Sequence, residues 1–145
     1  MRMLGLLLVN LFGFIHGDYL GAGMQLFRDE TILLVQGLRS GKWGFPKGHR
    51  ELRDLSWRDT AVREVYEETG YTEFTDYILC TEIPRVFGNR PYWSGIVTST
   101  KEPRVNRSEH RAVEWFPLDS LDTLRLTRAV NEWYTLDRQV CKKLT

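Results

Sequence analysis

Between Ser56 and Gly70 the chain reads S-W-R-D-T-A-V-R-E-V-Y-E-E-T-G, and this stretch constrains the fold more than any other. Ser56 is a residue type that caps helix N-termini, Asp59 stands three residues on as in a capping box, and Gly70 sits where a helix ends in a left-handed residue. The spacing predicts a helix over 56–69. Glu64, Glu67 and Glu68 fall at i, i+3 and i+4, so at about 100° per residue they share one side of it. Ala61, Val62 and Val65 lie on the adjacent arc, which sets the carboxylates at the edge of a core. Three like charges this close repel, so something positive belongs there. A hard divalent cation such as Mg²⁺ or Mn²⁺ answers that demand through carboxylate, carbonyl and water oxygens, and no His or Cys grouping suits a softer metal. The competing reading is a solvated acidic face with Lys and Arg neighbours.

Around this helix the pattern is strand, loop, helix, then strands again. Residues 21–27 and 31–36 are apolar and partly β-branched, and the polar turn Arg28-Asp29-Glu30 between them predicts a hairpin. Residues 38–49 are Gly-rich loop with a short strand at 43–45. Strands are expected over 75–82 and 92–98, joined by an exposed connection at 84–90, and over 112–116. From Leu121 onward, Leu126, Ala129, Val130, Trp133, Leu136 and Val140 follow a helical period. That helix is expected on one face of a mixed sheet with the 56–69 helix on the other, which makes an α/β/α sandwich of the α/β class.

The 145 residues carry 20 basic and 19 acidic side chains, a net charge of +1, so no global field recruits DNA or an acidic membrane. A hydrophobic share of 42% is ordinary for a globular chain and excludes a disordered one. Residues 1–16 form an apolar segment too short for a bilayer, which takes about 20 apolar residues. Ile15 sits where a signal cleavage site wants a small residue, so an apolar arm preceding one domain over 17–145 is the preferred reading. Cys80 and Cys141 form no CxxC or Cys/His cluster, so no disulfide framework is indicated and a reducing, cytoplasmic setting is expected.

These residues resemble the Nudix box, whose pattern is G, five residues, E, seven residues, then R-E-U-x-E-E-x-G-U with U aliphatic or aromatic. Arg63-Glu64-Val65-Tyr66-Glu67-Glu68-Thr69-Gly70-Tyr71 fits the second half, and Gly48, after Trp43-Gly44-Phe45-Pro46-Lys47, resembles its start. The likeness extends loosely over residues 17–124, where EHRAVEWFPL at 109–118 also looks Nudix-like. Gly48 and Arg63 stand one residue further apart than in the family. The first glutamate of the pattern is replaced by Asp54 when counted from Gly48, or by Leu55 when counted from the helix. With the helix register intact, the extra residue is assigned to the 49–54 loop, and either Asp54 or Glu51 is left to partner Arg63.

The resemblance implies a Nudix-type sandwich and a metal-dependent hydrolase that cleaves a phosphoanhydride bond. On that reading Glu64, Glu67 and Glu68 would hold Mg²⁺ or Mn²⁺ with the backbone carbonyl of Gly48, and Arg63 would be the ion-pair residue that orders them. Glu109 is the candidate general base, because in the mRNA-decapping branch a glutamate opening a similar E-x-x-x-x-E-W segment does this work; Glu114 is the second glutamate here, and Glu64 is the rival. Lys47, Arg50 and Arg53, with Arg85 and Arg90, are candidates for clamping polyphosphate. Trp43, Phe45, Tyr92 and Trp93 are candidates for stacking a base, each weighed against a core role. His49 and His110 read equally as loop hydrogen-bonders and as catalytic groups. WGFPKG with REVYEETGY is similar to mRNA-decapping domains, while PKGH, Tyr92-Trp93 and Ser108-Glu109-His110 are similar to diadenosine tetraphosphate hydrolases. The expected substrate is therefore a dinucleoside polyphosphate or the capped 5′ end of RNA. An inositol pyrophosphate, an oxidised nucleotide, or a binding module without turnover are the alternatives, and monomer and homodimer both stay open.

Overall fold

The computed structural model describes residues 19–141; the expected apolar arm over 1–16 lies outside them. β1 (Ala22–Arg28) and β2 (Thr31–Gly37) form the expected hairpin, with Phe27 opposite Ile32 and Arg28 opposite Thr31. β7 (Arg90–Val97) lies parallel to β1, from Gly23 beside Tyr92 to Phe27 beside Ile96. β8 (His110–Pro117) runs antiparallel along β2. The short strands β3 (Trp43–Gly44) and β4 (Lys47–Gly48) pair with β2 and β1, while β5 (Tyr77–Leu79) and β6 (Arg85–Phe87) pair with β7. The sheet is mixed, as the sequence predicts.

Both faces of this sheet are apolar because β1 and β2 alternate between two cores. Ala22, Met24, Leu26 and Leu33 pack with Trp57, Ala61 and Val65 of α1 (Trp57–Thr69). Phe27, Ile32 and Leu34 pack on the opposite face with Leu121, Ala129, Val130 and Trp133. Helices thus cover both sides, giving the expected α/β/α sandwich. The Ser56 hydroxyl accepts the Asp59 N–H at 3.1 Å, and Gly70 closes α1 at φ 80°. Asp59 takes the amide of Leu55, at 2.9 Å, so the capping box is displaced by one residue.

The long C-terminal helix is replaced by three short pieces: a 3₁₀ segment (Leu118–Thr123), α2 (Arg128–Glu132) and a wide turn (Trp133–Asp137). Periodicity fails there because the backbone of 125–127 is engaged by β3: Trp43 N–H donates to the Arg125 carbonyl at 2.8 Å, and Thr127 N–H to the Trp43 carbonyl at 2.9 Å. Helix begins only at Thr127, whose side chain caps it, and ends at Arg138 with φ 53°. Leu136, counted as a core position, is 81% exposed. The 84–90 connection is also corrected, since it holds β6 and a tight turn into β7. Gly88 and Asn89 both take positive φ, 55° and 59°, the backbone that a two-residue hairpin loop requires. The strand expected over 75–82 shortens to β5.

A third correction concerns the cysteines. Cys80, just beyond β5, is disulfide-bonded to Cys141, 61 residues away in sequence, with Cα atoms 6.2 Å apart. Their spacing carries no such signal, because tertiary packing makes the pair. The Trp133 indole N–H donates to the Gln139 carbonyl at 2.9 Å, and Val140 packs on the second core, which carries Cys141 to the edge of the sheet. A bond closing so long a loop contributes about 2–4 kcal/mol. A reductant is therefore expected to lower the melting temperature, and Cys80→Ser should melt like the reduced protein; calorimetry with and without reductant checks both. No helix among the described residues is long and apolar enough to cross a membrane.

Candidate active site

Arg63, in the middle of α1, organises the acidic face. Its Nε and Nη2 donate to the two carboxylate oxygens of Asp54 at 3.0 and 2.8 Å, a bidentate pair. Its Nη1 reaches Glu64 at 3.0 Å, Glu67 at 3.1 Å and Glu51 at 3.1 Å, and Nη2 also donates to the His49 carbonyl at 2.7 Å. Both residues offered by the sequence as partners of Arg63 are thus used, Asp54 at the centre and Glu51 at the edge. The hydrogen bonds to Asp54, and then those to Glu67 and Glu64, hold the guanidinium charged well above its usual pKa.

Burial alone would raise the Asp54 carboxyl, but Arg63, the Glu51 amide and the Thr60 hydroxyl outweigh it and hold the group at about 2. This is a depressed acid, so its contribution to stability is complete above the ordinary pKa of 3.8 and is lost as pH falls through about 2. Urea midpoints measured at pH 5, 3 and 2 should decline over that window, and Asp54→Asn should flatten this part of the decline.

On the inner side of α1, Glu64 and Glu68 are 8% and 4% exposed. The Lys47 N–H of β4 donates to Glu68 Oε1 at 3.1 Å. Gly48 lies so close to Glu64 that a Cβ there would stand 2.0 Å from its carboxyl carbon, so a side chain at this position would push the Glu64 carboxylate out of its place. Glu109 and His110 enter from the start of β8, and one donor atom each from Glu68, Glu109 and His110 lies within 4.8 Å of the others. Together with Lys47, Gly48 and Glu64 these residues line a cleft of about 320 Å³.

The electrostatics of the cleft match this crowding. Burial pushes the Glu68 carboxyl up to about 8 against the pull of Lys47. Glu64 is also raised by burial, with Arg63 opposing and the charges of Glu67 and Glu109 reinforcing it. Lys47 is lowered, first by burial and then by Arg90. Burial lowers His110 as well. Carboxylates crowd a desolvated cleft that the cationic side chains leave short of positive charge, and the Gly48 backbone admits a close approach. The donor set fits a divalent cation.

Other residues singled out in the sequence take different places. Glu67 stays at the rim, held by Arg63 and, at 3.5 Å, by Arg53. Arg50 is exposed on the loop that follows β4. Tyr92, 1% exposed, packs in the second core against Phe45 and Phe87, and Trp93, 6% exposed, belongs to the first core. Trp43 packs edge-on against Phe116 with ring centroids 4.6 Å apart. None of the four aromatic candidates lines the cleft; Tyr92 and Trp93 are buried in the two cores, and Trp43 is half-buried. Arg85 pairs with Asp137 and Gln139 beside the C-terminal turn.

His110 is the residue whose place sequence reading leaves undecided. Val113 and Trp115 pack on the α1 side of the sheet, and counting back by twos reaches Arg111. A bulge at Arg111 breaks this count: Gln36 pairs with Ala112 and Gly37 with His110, which turns His110 toward α1. Arg111 is freed to bind the Leu38 carbonyl at 2.8 Å.

The sequence model of the NUDIX domain matches residues 19–139. The chain belongs to the Nudix family. This Nudix domain is 34% identical over 114 residues to the mRNA decapping complex subunit 2 of Schizosaccharomyces pombe, a match covering 72% of this chain and 15% of that protein. It is 37% identical over 102 residues to the m7GpppN-mRNA hydrolase of Saccharomyces cerevisiae, covering 65% of this chain and 10% of that one. The Nudix chain therefore spans only a small part of the length of these curated relatives. The solved binary complex of the Caenorhabditis elegans Ap4A hydrolase matches with a TM-score of 0.63 at 21% identity, over 72% of this chain and 84% of that one, a likeness of fold.

Proposed function

We propose that this Nudix domain is a divalent-metal-dependent hydrolase that cleaves a phosphoanhydride bond in a nucleoside polyphosphate, with the capped 5′ end of RNA as its substrate. The observation that carries this reading is the convergence of Glu64, Glu68 and Glu109 on one cleft beside Lys47, behind a guanidinium that already satisfies Asp54. The likeness to the two decapping proteins supports the substrate. Glu64, Glu68 and the Gly48 carbonyl would hold Mg²⁺ or Mn²⁺, with Glu67 contributing from the rim. When bound, the cation supplies charge neutralisation for phosphate oxygens and lowers the pKa of a water.

The chain's own groups supply the rest. Lys47 draws polyphosphate oxygens into the cleft, and Arg50 meets the portion that extends out of it. Glu109 accepts the proton of the attacking water, with Glu64 as the alternative base. Arg63 touches no substrate; it fixes the direction of Glu64 and Glu67. A cytoplasmic site of action goes with an mRNA substrate, and there the Cys80–Cys141 bond would face a reducing thiol pool.

A dinucleoside polyphosphate is the second reading, favoured by the fold shared with the Ap4A hydrolase and by the Ser108-Glu109-His110 segment. A panel of capped RNA, diadenosine tetraphosphate, nucleoside triphosphates and an inositol pyrophosphate, each with Mg²⁺ or Mn²⁺, tests both. Release of the cap nucleotide from RNA supports the first, and cleavage of diadenosine tetraphosphate alone supports the second. Ligand binding without turnover of any of them would replace the enzyme with a binding module.

A further inference from the structure

We propose that the His110 imidazole is a nitrogen donor to the divalent cation of this cleft. The inference rests on the metal-site reading above and adds to it a ligand of a different chemical kind.

Three observations carry it. The bulge at Arg111 turns His110 out of the alternation of β8 and onto the side of the sheet covered by α1. There its ring shares a space 4.8 Å across with carboxylate oxygens of Glu68 and Glu109, the separation that ligands around one ion have. The ring is mostly buried and nonetheless unsatisfied: Nδ1 has no hydrogen-bond partner among the described residues, and Nε2 stands 3.8 Å from Glu68 Oε1, too far for a hydrogen bond. A buried imidazole left in this state is less stable than a satisfied one. A cation held by Glu68 and a ring nitrogen would give the ring a partner and offset the repulsion between Glu68 and Glu109.

A nitrogen donor matters more to a transition metal than to Mg²⁺, which makes Mn²⁺ the probe. Mg²⁺ demands near-octahedral oxygen ligation and keeps its waters, whereas imidazole favours the transition metals. Mn²⁺ accepts the same carboxylates as Mg²⁺ and adds the nitrogen. The other histidine at this cleft, His49, is exposed on the loop and serves as the internal control.

The test is pulsed electron paramagnetic resonance on the full chain loaded with one equivalent of Mn²⁺. The wild-type protein should show nitrogen modulation of the electron spin echo that changes on labelling histidine with ¹⁵N. His110→Gln should lose the modulation while still binding Mn²⁺, and His49→Gln should keep it. In titrations His110→Gln should weaken Mn²⁺ at least about tenfold, a loss that altering outer-shell partners already produces at metal sites, and Mg²⁺ by less than about twofold. If His110→Gln does not fold by circular dichroism, His110→Asn takes its place, and the labelled wild-type spectrum decides in either case. Bound Mn²⁺ without histidine modulation, or modulation that survives loss of His110, overturns the nitrogen donor and leaves the carboxylate site standing. A wild-type protein that binds no Mn²⁺ overturns both.

Discussion

Glu68→Gln is expected to lower kcat by about 100- to 1000-fold, on the scale of losing one preorganised charge-stabilising group at an active site, without destabilising the fold. The amide keeps the shape of the side chain and an oxygen to accept the Lys47 N–H, so β4 remains docked on α1. What disappears is a negative charge that burial already opposes, as its raised pKa of about 8 records. In the presence of a chelator, the variant's melting temperature should therefore equal or exceed that of the wild type. Steady-state turnover at saturating Mn²⁺ and a melting curve together separate loss of a cation ligand from loss of structure. Wild-type turnover in this variant would remove Glu68 from the site.

Arg63→Met is expected to have the opposite signature, with a large loss of stability preceding any effect on chemistry. Asp54 is 4% exposed and would be left with a backbone amide and the Thr60 hydroxyl, while Glu64 would lose its only salt bridge among the described residues. Removing one partner of a buried pair typically costs about 3–5 kcal/mol, because the surviving charge stays desolvated. For a chain of this size that lowers the melting temperature by roughly 10 °C or more. Arg63→Lys should recover little of it, since one ammonium cannot span both Asp54 oxygens and reach Glu67 on the other side. Adding Asp54→Asn to Arg63→Met should restore part of the loss by removing the orphaned charge. Urea denaturation of the two single variants and the double variant measures the coupling; simple additivity would show that the pair does not act as a unit.

Features decided within a few residues are legible in the amino-acid order itself. Ser56, Gly70 and the Glu64, Glu67, Glu68 spacing define α1 and its acidic face through local geometry, and the alternation along β1 and β2 gives the hairpin and both cores. Features decided by distant chain are not. The backbone of 125–127 is taken up by β3, which no count of apolar positions reveals. Cys80 and Cys141, 61 residues apart, are brought together by the packing of Trp133 and Val140. Tyr92 and Trp93 have side chains suited to stacking a base, and only their register beside β1 shows that they are buried in the two cores. His110 is displaced by a bulge that leaves no mark in residue type. The Gly88-Asn89 turn is a different case, because a Gly-Asn pair between two strand-forming runs is itself a hairpin signal, one that an exposed connection over 84–90 overlooks.

The parallel pairing of β1 with β7 bears on how fast this architecture assembles. α1 and the β1–β2 hairpin rest on neighbours close in the chain, whereas the Gly23–Phe27 rung positions meet Tyr92–Ile96 only after about half of the polypeptide has been drawn into a loop. Closing such a loop spends chain entropy before any contact repays it, which places folds of this kind among the slower folders of their size. Glu109 and His110 arrive later still in sequence, with β8. A nascent or unfolding chain can thus possess the acidic helix without possessing the cleft, and recovery of activity after dilution from denaturant should lag behind recovery of helical signal.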